Sequence, residues 1–142
     1  MSKHDPLEVA DRLHGAAIRL LRRVRVADDE TGLSAPKLSA LSVLAFGGPT
    51  SLKALARAEQ VTAPTMSKLV AELEVAGLAA KRADRTDKRS VRIEVTAKGR
   101  ALMEEGRRRR LALLRQKLSR LSRADLEQLA EASALIARIA AD

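Results

Sequence analysis

The chain has 142 residues and carries 27 Lys and Arg against 18 Asp and Glu, a net charge of +9 that points to a polyanionic partner, nucleic acid or an acidic membrane surface. It holds no Cys, and its one aromatic residue is Phe46. These counts exclude disulfides, thiolate metal sites, nucleophilic cysteine and thiol redox sensing, and they remove the aromatic platform that grips single strands, so duplex DNA is the favoured nucleic acid.

The length fits one domain with enough chain to bury a core. Charge is balanced over residues 1–30 and the positive excess accumulates after them. His4 and His14 lack the neighbouring ligands that a metal site needs. The N-terminal stretch has acids where a signal peptide needs an apolar core, and no apolar run reaches the ~18 residues of a membrane span. A soluble, cytoplasmic, non-enzymatic protein with no cofactor, no metal and no membrane attachment is expected.

Asp5, Pro6 and Glu8 announce the first helix: an acid able to cap, Pro at the first helical position and Glu three residues after the cap. Leu7, Ala10, Leu13, Ala17, Leu20, Leu21 and Val24 recur at helical spacing, and the pattern stops near Gly32. Ser34 is placed to cap a second helix, with Pro36 in its first turn and Leu38, Leu41 and Leu44 on one face. Thr50 or Ser51 caps a short third helix ending near Ala58; Thr62 caps a fourth, which Gly77 closes as a left-handed cap.

Past Gly77 the period changes. Residues 78–82 are weakly strand-like, 84–89 form a polar turn, and Val91, Ile93 and Val95 alternate with Ser90, Arg92 and Glu94, which predicts a two-stranded hairpin. Thr96 then caps a long helix running to about Leu118, and Ser122 starts a last one. The fold class is mainly α with a small β-hairpin.

Leu55, Ala56, Val61, Met66 and Leu69 have the spacing that lets helices three and four lock as a helix-turn-helix, with small Ala56 at the crossing. Burying Met66, Leu69, Val70 and Leu73 leaves Pro64, Thr65 and Lys68 on the opposite face, flanked by Thr62, Ala63 and Ser67. That face is short, polar and free of acids, which suits a DNA major groove; Glu72 and Glu74 come a turn later. Taken alone it is more often a solvated helix surface, and the hairpin beside it reverses that balance.

The stretches LSAPKLSALSVLAFGGPTSLKALARAEQVTAPTMSKLVAELEVAGL and RADRTDKRSVRIEVTAKG resemble the MarR family of winged helix-turn-helix transcription regulators, and the resemblance extends over essentially the whole chain. It implies a winged helix-turn-helix over 34–99 and a helical dimerisation part, 5–28 and 100–141, within a single domain 1–142. By the same resemblance the hairpin is the wing, Arg85 or Lys88 enters the minor groove, and Arg89 braces the tip. Asp84 and Asp87 are expected to pair with Arg89 or Arg85 and hold the loop. Two departures stand out: Gln60 where such turns often use Gly, and Lys88 where the family more often has Arg.

Leu111, Leu114, Leu118, Leu121, Leu126, Leu129, Leu135, Ile136 and Ile139 form stripes that a helical hairpin within one chain cannot fully cover, which calls for a second chain. The resemblance implies a homodimer through these terminal helices that presents two recognition helices to a palindromic operator. Arg107 to Arg110 read as a solvated collar, with a supplementary phosphate contact or an amphipathic membrane anchor as the lesser readings, the anchor lacking any Trp or Phe beside it. The resemblance further implies a small anionic or phenolic effector, with a pocket near His14, Ala17, Phe46 and Met103; core packing is the plainer account of all four. Gly15 is costly inside a helix, which close packing or a ligand would explain. The expected function is sequence-specific repression from duplex DNA; a sequence-tolerant architectural DNA-binding protein and a protein-interaction module are the alternatives.

Overall fold

Helix starts in this protein fall where capping side chains stand. In the computed structural model, which describes residues 4–141, Ser51 Oγ accepts from Ala54 N at 3.1 Å, Thr62 Oγ1 from Thr65 N at 3.3 Å, Thr96 Oγ1 from Gly99 N at 3.0 Å and Ser122 Oγ from Asp125 N at 3.1 Å. The elements that follow are α1 (Pro6–Arg25), α2 (Ala35–Gly47), α3 (Leu52–Ala58), α4 (Ala63–Val75), β1 (Ala79–Ala83), β2 (Val91–Val95), α5 (Ala97–Leu118) and α6 (Arg123–Ala140).

Two junctions differ from expectation. Beyond α1 the chain tightens into a 3-10 segment, Val26–Thr31, before Gly32 turns it at φ 70°. Ser34 occupies the cap position of α2 in an extended conformation, yet its hydroxyl makes no bond to the helix, whereas Thr62, with a proline at the same place in its turn, does cap α4.

The described chain divides into two compact units, one spanning Arg25–Arg108 and the other joining the N-terminal helix to the chain from Arg109 onward. In the first, Leu41 and Leu44 of α2, Leu55 of α3, Met66, Val70 and Leu73 of α4 and Ile93 of β2 are sealed from solvent. Burial of each such side chain contributes about 1.5–3 kcal/mol before the entropy of ordering it is subtracted. The antiparallel register sets Ala79 against Val95, Lys81 against Ile93 and Ala83 against Val91. On the far edge of β2, Thr50 N donates to Ile93 O at 3.0 Å and Ile93 N to Thr50 O at 2.7 Å, so the α2–α3 connection is stitched to the hairpin. Val91 shares a face with Ile93, as the alternation predicts, but it is 51% exposed because it stands at the tip end, beyond the core.

In the second unit the apolar stripes have little cover. Every described residue of α6 is exposed, including Leu126, Leu129, Leu135, Ile136 and Ile139, and on α1 only Val24 is buried. Among the described residues no helix is long and apolar enough to cross a membrane.

Candidate nucleic-acid interface

The turn joining α3 to α4 is a tight left-handed helix ending. Val61 N donates to Ala56 O at 3.0 Å and Gln60 N to Arg57 O at 3.2 Å, the paired bonds of a Schellman motif. Gln60 takes the left-handed position at φ 56°, the one non-glycine residue among those described to do so. Gly77 closes α4 by the same device, with Leu78 N on Leu73 O and Gly77 N on Glu74 O, both at 2.9 Å. Buried Leu55, Ala56 and Met66, with half-buried Val61 and Leu69, lock α3 onto α4.

This packing turns the start of α4 outward. Thr62, Ala63, Pro64, Thr65 and Lys68 are exposed and Ser67 is half-buried. Thr62 also donates its hydroxyl proton to Thr65 Oγ1 at 2.9 Å, which leaves the Thr65 proton available to an outside acceptor. The acids further along are engaged elsewhere: Glu72 with Lys37 at 3.1 Å and Glu74 with Lys81 at 3.5 Å. Lys68 has no ion-pair partner among the described residues, so the exposed turn presents short polar groups and one uncompensated cation.

The wing tip is built by its acids. Asp84 Oδ1 accepts from Thr86 N and Thr86 Oγ1, each at 3.0 Å, and Asp87 accepts from Arg89 N at 3.0 Å and Ser90 Oγ at 3.1 Å. The Asp84 carboxyl is lowered from 3.8 to about 2, first by the Thr86 amide and then by Arg92. Here the structure corrects the expected pairing. Asp84 is braced by Arg92, Nε to Oδ2 at 3.1 Å, and not by Arg85 or Arg89; Arg89 contributes its backbone amide to Asp87, not its guanidinium. The ladder supplies the reason: Asp84 N bonds Ser90 O, so Arg92 lies diagonally across from Asp84 on the same face, within reach of a long side chain. Arg85, Lys88 and Arg89 are exposed at the tip, their charged groups without a partner among the described residues.

Arg92 is the residue that sequence reading passed over as a polar-face position. Its signal was the diagonal register, which appears only once the ladder is drawn out. The residues in register with the family's Thr, Lys and Gly do framing work. Thr96 Oγ1 donates to Gly77 O at 2.6 Å, Lys98 Nζ donates to Ala76 O at 2.9 Å at the C-terminal end of α4, and Gly99 lies against Leu78 and Val95. Arg100 donates to Ala45 O at 3.2 Å near the end of α2. Both cations sit where helix dipoles favour positive charge.

Of the four residues named for an effector pocket, His14 and Ala17 are exposed on α1 in one unit. In the other, Phe46 is 65% exposed at the end of α2, and Met103 is buried in the core. In the Arg run, Arg107 and Arg108 are exposed, as a collar requires, with Arg108 on Glu105 at 2.7 Å; Arg109 and Arg110 are half-buried.

A helical core, two helices joined by a tight turn and a charged antiparallel hairpin directly after the second of them define a winged helix-turn-helix, a DNA-binding class of fold. Residues 31–90 match the MarR family, and the uncharacterised HTH-type transcriptional regulator Mb0904 of Mycobacterium bovis is 32% identical over 128 residues, 90% of each chain. The chain belongs to the MarR family of winged helix-turn-helix transcriptional regulators, DNA-binding proteins and not enzymes. A MarR family protein from Bacillus stearothermophilus superposes with a TM-score of 0.84 at 22% identity, covering 100% of this chain and 99% of the other. A single-residue variant of S. aureus MepR, solved bound to an oligodeoxyribonucleotide, gives 0.70 at 20% identity, covering 92% and 97%.

Proposed function

We propose that this protein is a homodimeric repressor that acts in the cytoplasm by covering a palindromic duplex operator. Thr62, Ala63, Pro64, Thr65, Ser67 and Lys68 meet base edges in the major groove, and Arg85 or Lys88 reaches the flanking minor groove, with Arg89 beside it. The observation that carries this reading is the charge arrangement of the interface: Glu72, Glu74 and Asp84 are each paired to a cation within the protein, while Lys68 and the three tip cations are left for an outside anion. The uncovered stripes on α1 and α6 support a second copy as partner, since twofold pairing of amphipathic helices removes them from water. The MepR variant bound to an oligodeoxyribonucleotide supports DNA binding by this fold. Release by a small anionic or phenolic effector is part of the same reading. Of the residues named for its pocket, the exposed Phe46 ring is the surface to probe, by thermal shift with Phe46→Ala as control.

The test is selection of bound sequences from a random duplex pool at near-physiological salt, with wild type beside Lys68→Ala and Arg85→Ala. The expected result is an enriched palindrome, altered in the middle of each half-site by Lys68→Ala and in its flanks by Arg85→Ala, with each mismatched base pair weakening binding by ~1–3 kcal/mol. Uniform, salt-dependent coating with both variants merely weaker would replace the repressor by an architectural protein.

A further inference from the structure

One face of the wing ladder carries paired charge. Arg82 and Arg92 stand directly opposite each other in the register, an unfavourable placement of like charges. Each is drawn to a diagonal acid, Arg82 to Glu94 at 2.9 Å and Arg92 to Asp84 at 3.1 Å, and the four line an open cleft of about 670 Å³ together with Pro49, Arg85 and Thr86. The two pairs differ in what lies beyond them. The Arg82 pair closes within the hairpin, whereas Arg92 Nη1 also donates to the carbonyl of Pro49 at 3.2 Å, in the connection between α2 and α3. Thr50, bonded in both directions to Ile93, and Ser51, the cap of α3, follow immediately. One guanidinium therefore ties the start of the wing turn to the segment that leads into the helix-turn-helix.

We infer that Arg92 is a positioning residue for DNA recognition, fixing the inclination of the wing against the helix-turn-helix and so setting where Arg85, Lys88 and Arg89 meet the duplex. The inference rests on the DNA-binding reading above and deepens it. A guanidinium suits the task because Nε and Nη1 are separate donors held in one plane, whereas a lysine ammonium is a single point. Asp84, held at about 2, remains charged at every pH at which DNA binding is measured. Arg92 is half exposed, and an ion pair so placed adds little to global stability; what it supplies is an angle.

The test uses the intact chain with Arg92→Ala, Arg92→Lys and Asp84→Asn, and three readouts: melting temperature, amide hydrogen exchange of the free protein, and competition between duplexes altered either at the half-site centre or in the flank. Melting is expected to move by no more than ~2 °C in all three. Exchange at the Thr50, Thr86 and Ile93 amides is expected to quicken by about threefold to tenfold, the sign of a local opening. Discrimination between flanks is lost while discrimination at the half-site centre is kept, and Lys does not rescue.

Asp84→Asn separates positioning from simple electrostatics. Removing an acid beside a polyanion by itself tightens binding; loss of positioning instead weakens binding to the preferred sequence by roughly threefold to tenfold. Unchanged exchange in all three variants would overturn the inference. So would tighter binding by Asp84→Asn with the flank preference intact, which would make Arg92 a plain phosphate contact, or an equal loss on every sequence. A wild type without any preferred sequence would overturn the proposed function instead, and exchange would still decide whether Arg92 holds the wing.

Discussion

Gly99 stands in the first turn of α5, where an added methyl group has no room. A Cβ there would run into the carbonyl oxygen of Leu78 and lie 2.8 Å from Val95 Cγ2. The carbonyl cannot swing aside freely, because it accepts from Thr96 N at 3.0 Å. Forcing a methyl group into a packed junction costs about 1–3 kcal/mol, and loosening that hydrogen bond adds about 1 kcal/mol. Against this, Ala gains about 1 kcal/mol over Gly in a helix interior. Gly99→Ala is therefore destabilising by about 1–3 kcal/mol, and thermal unfolding followed by circular dichroism should show a melting point lower by about 3–10 °C. Gly15→Ala is the matched control within α1, where the nearest atoms to a new Cβ belong to the flexible Arg19 guanidinium at 3.3 Å. That variant is expected to gain about 0.5–1 kcal/mol, so one substitution type has opposite signs in two helices. A Gly99→Ala protein melting at or above wild type would refute the reasoning, and a loss at Gly15 would show that another surface packs against it.

Gln60→Gly relieves the left-handed strain in the α3–α4 turn and should raise stability by about 0.5–1 kcal/mol, read as a higher urea midpoint with an unchanged slope; a lower midpoint would mean that the Gln side chain holds the turn. The Asp84 carboxyl, followed by NMR, should titrate near 2. Because its folded value lies below the ordinary 3.8, its stabilisation of the wing is complete above that value and is lost as pH falls through about 2, so wing amide protection should be flat from neutral pH to about 4. Leu129→Glu would place a charge in the apolar stripe of α6; sedimentation should show a dimer weakened by about 3 kcal/mol or more, and an unchanged dimer would place the interface elsewhere.

Most elements were legible because their signals are local. Caps at Ser51, Thr62, Thr96 and Ser122 mark helix starts, the shift from helical to alternating spacing after Gly77 marks the hairpin, and Ala56 with Val61, Met66 and Leu69 marks the crossing of α3 and α4. The outward face of α4 followed by subtraction once its buried face was known. The features that were not legible depend on contacts distant in sequence. Whether Asp84 chooses Arg85, Arg89 or Arg92 is decided by cross-strand register, and whether Val91 is buried depends on how far the core reaches along the hairpin. Residue type alone does not decide whether a cap bond forms: Ser34 and Thr62 each precede a proline in the first turn of a helix, and only Thr62 makes the bond.

The stitching of Thr50 to Ile93 also bears on how these molecules behave when crowded. A two-stranded ribbon normally offers two open edges to which a stranger's strand can add. Here the middle of the β2 edge is already occupied, and the short β1 presents Lys81 and Arg82 among alanines that give a steric zipper little to hold. The wing is thus guarded against sheet extension from one molecule to the next, so that copies at high concentration do not fuse through their hairpins.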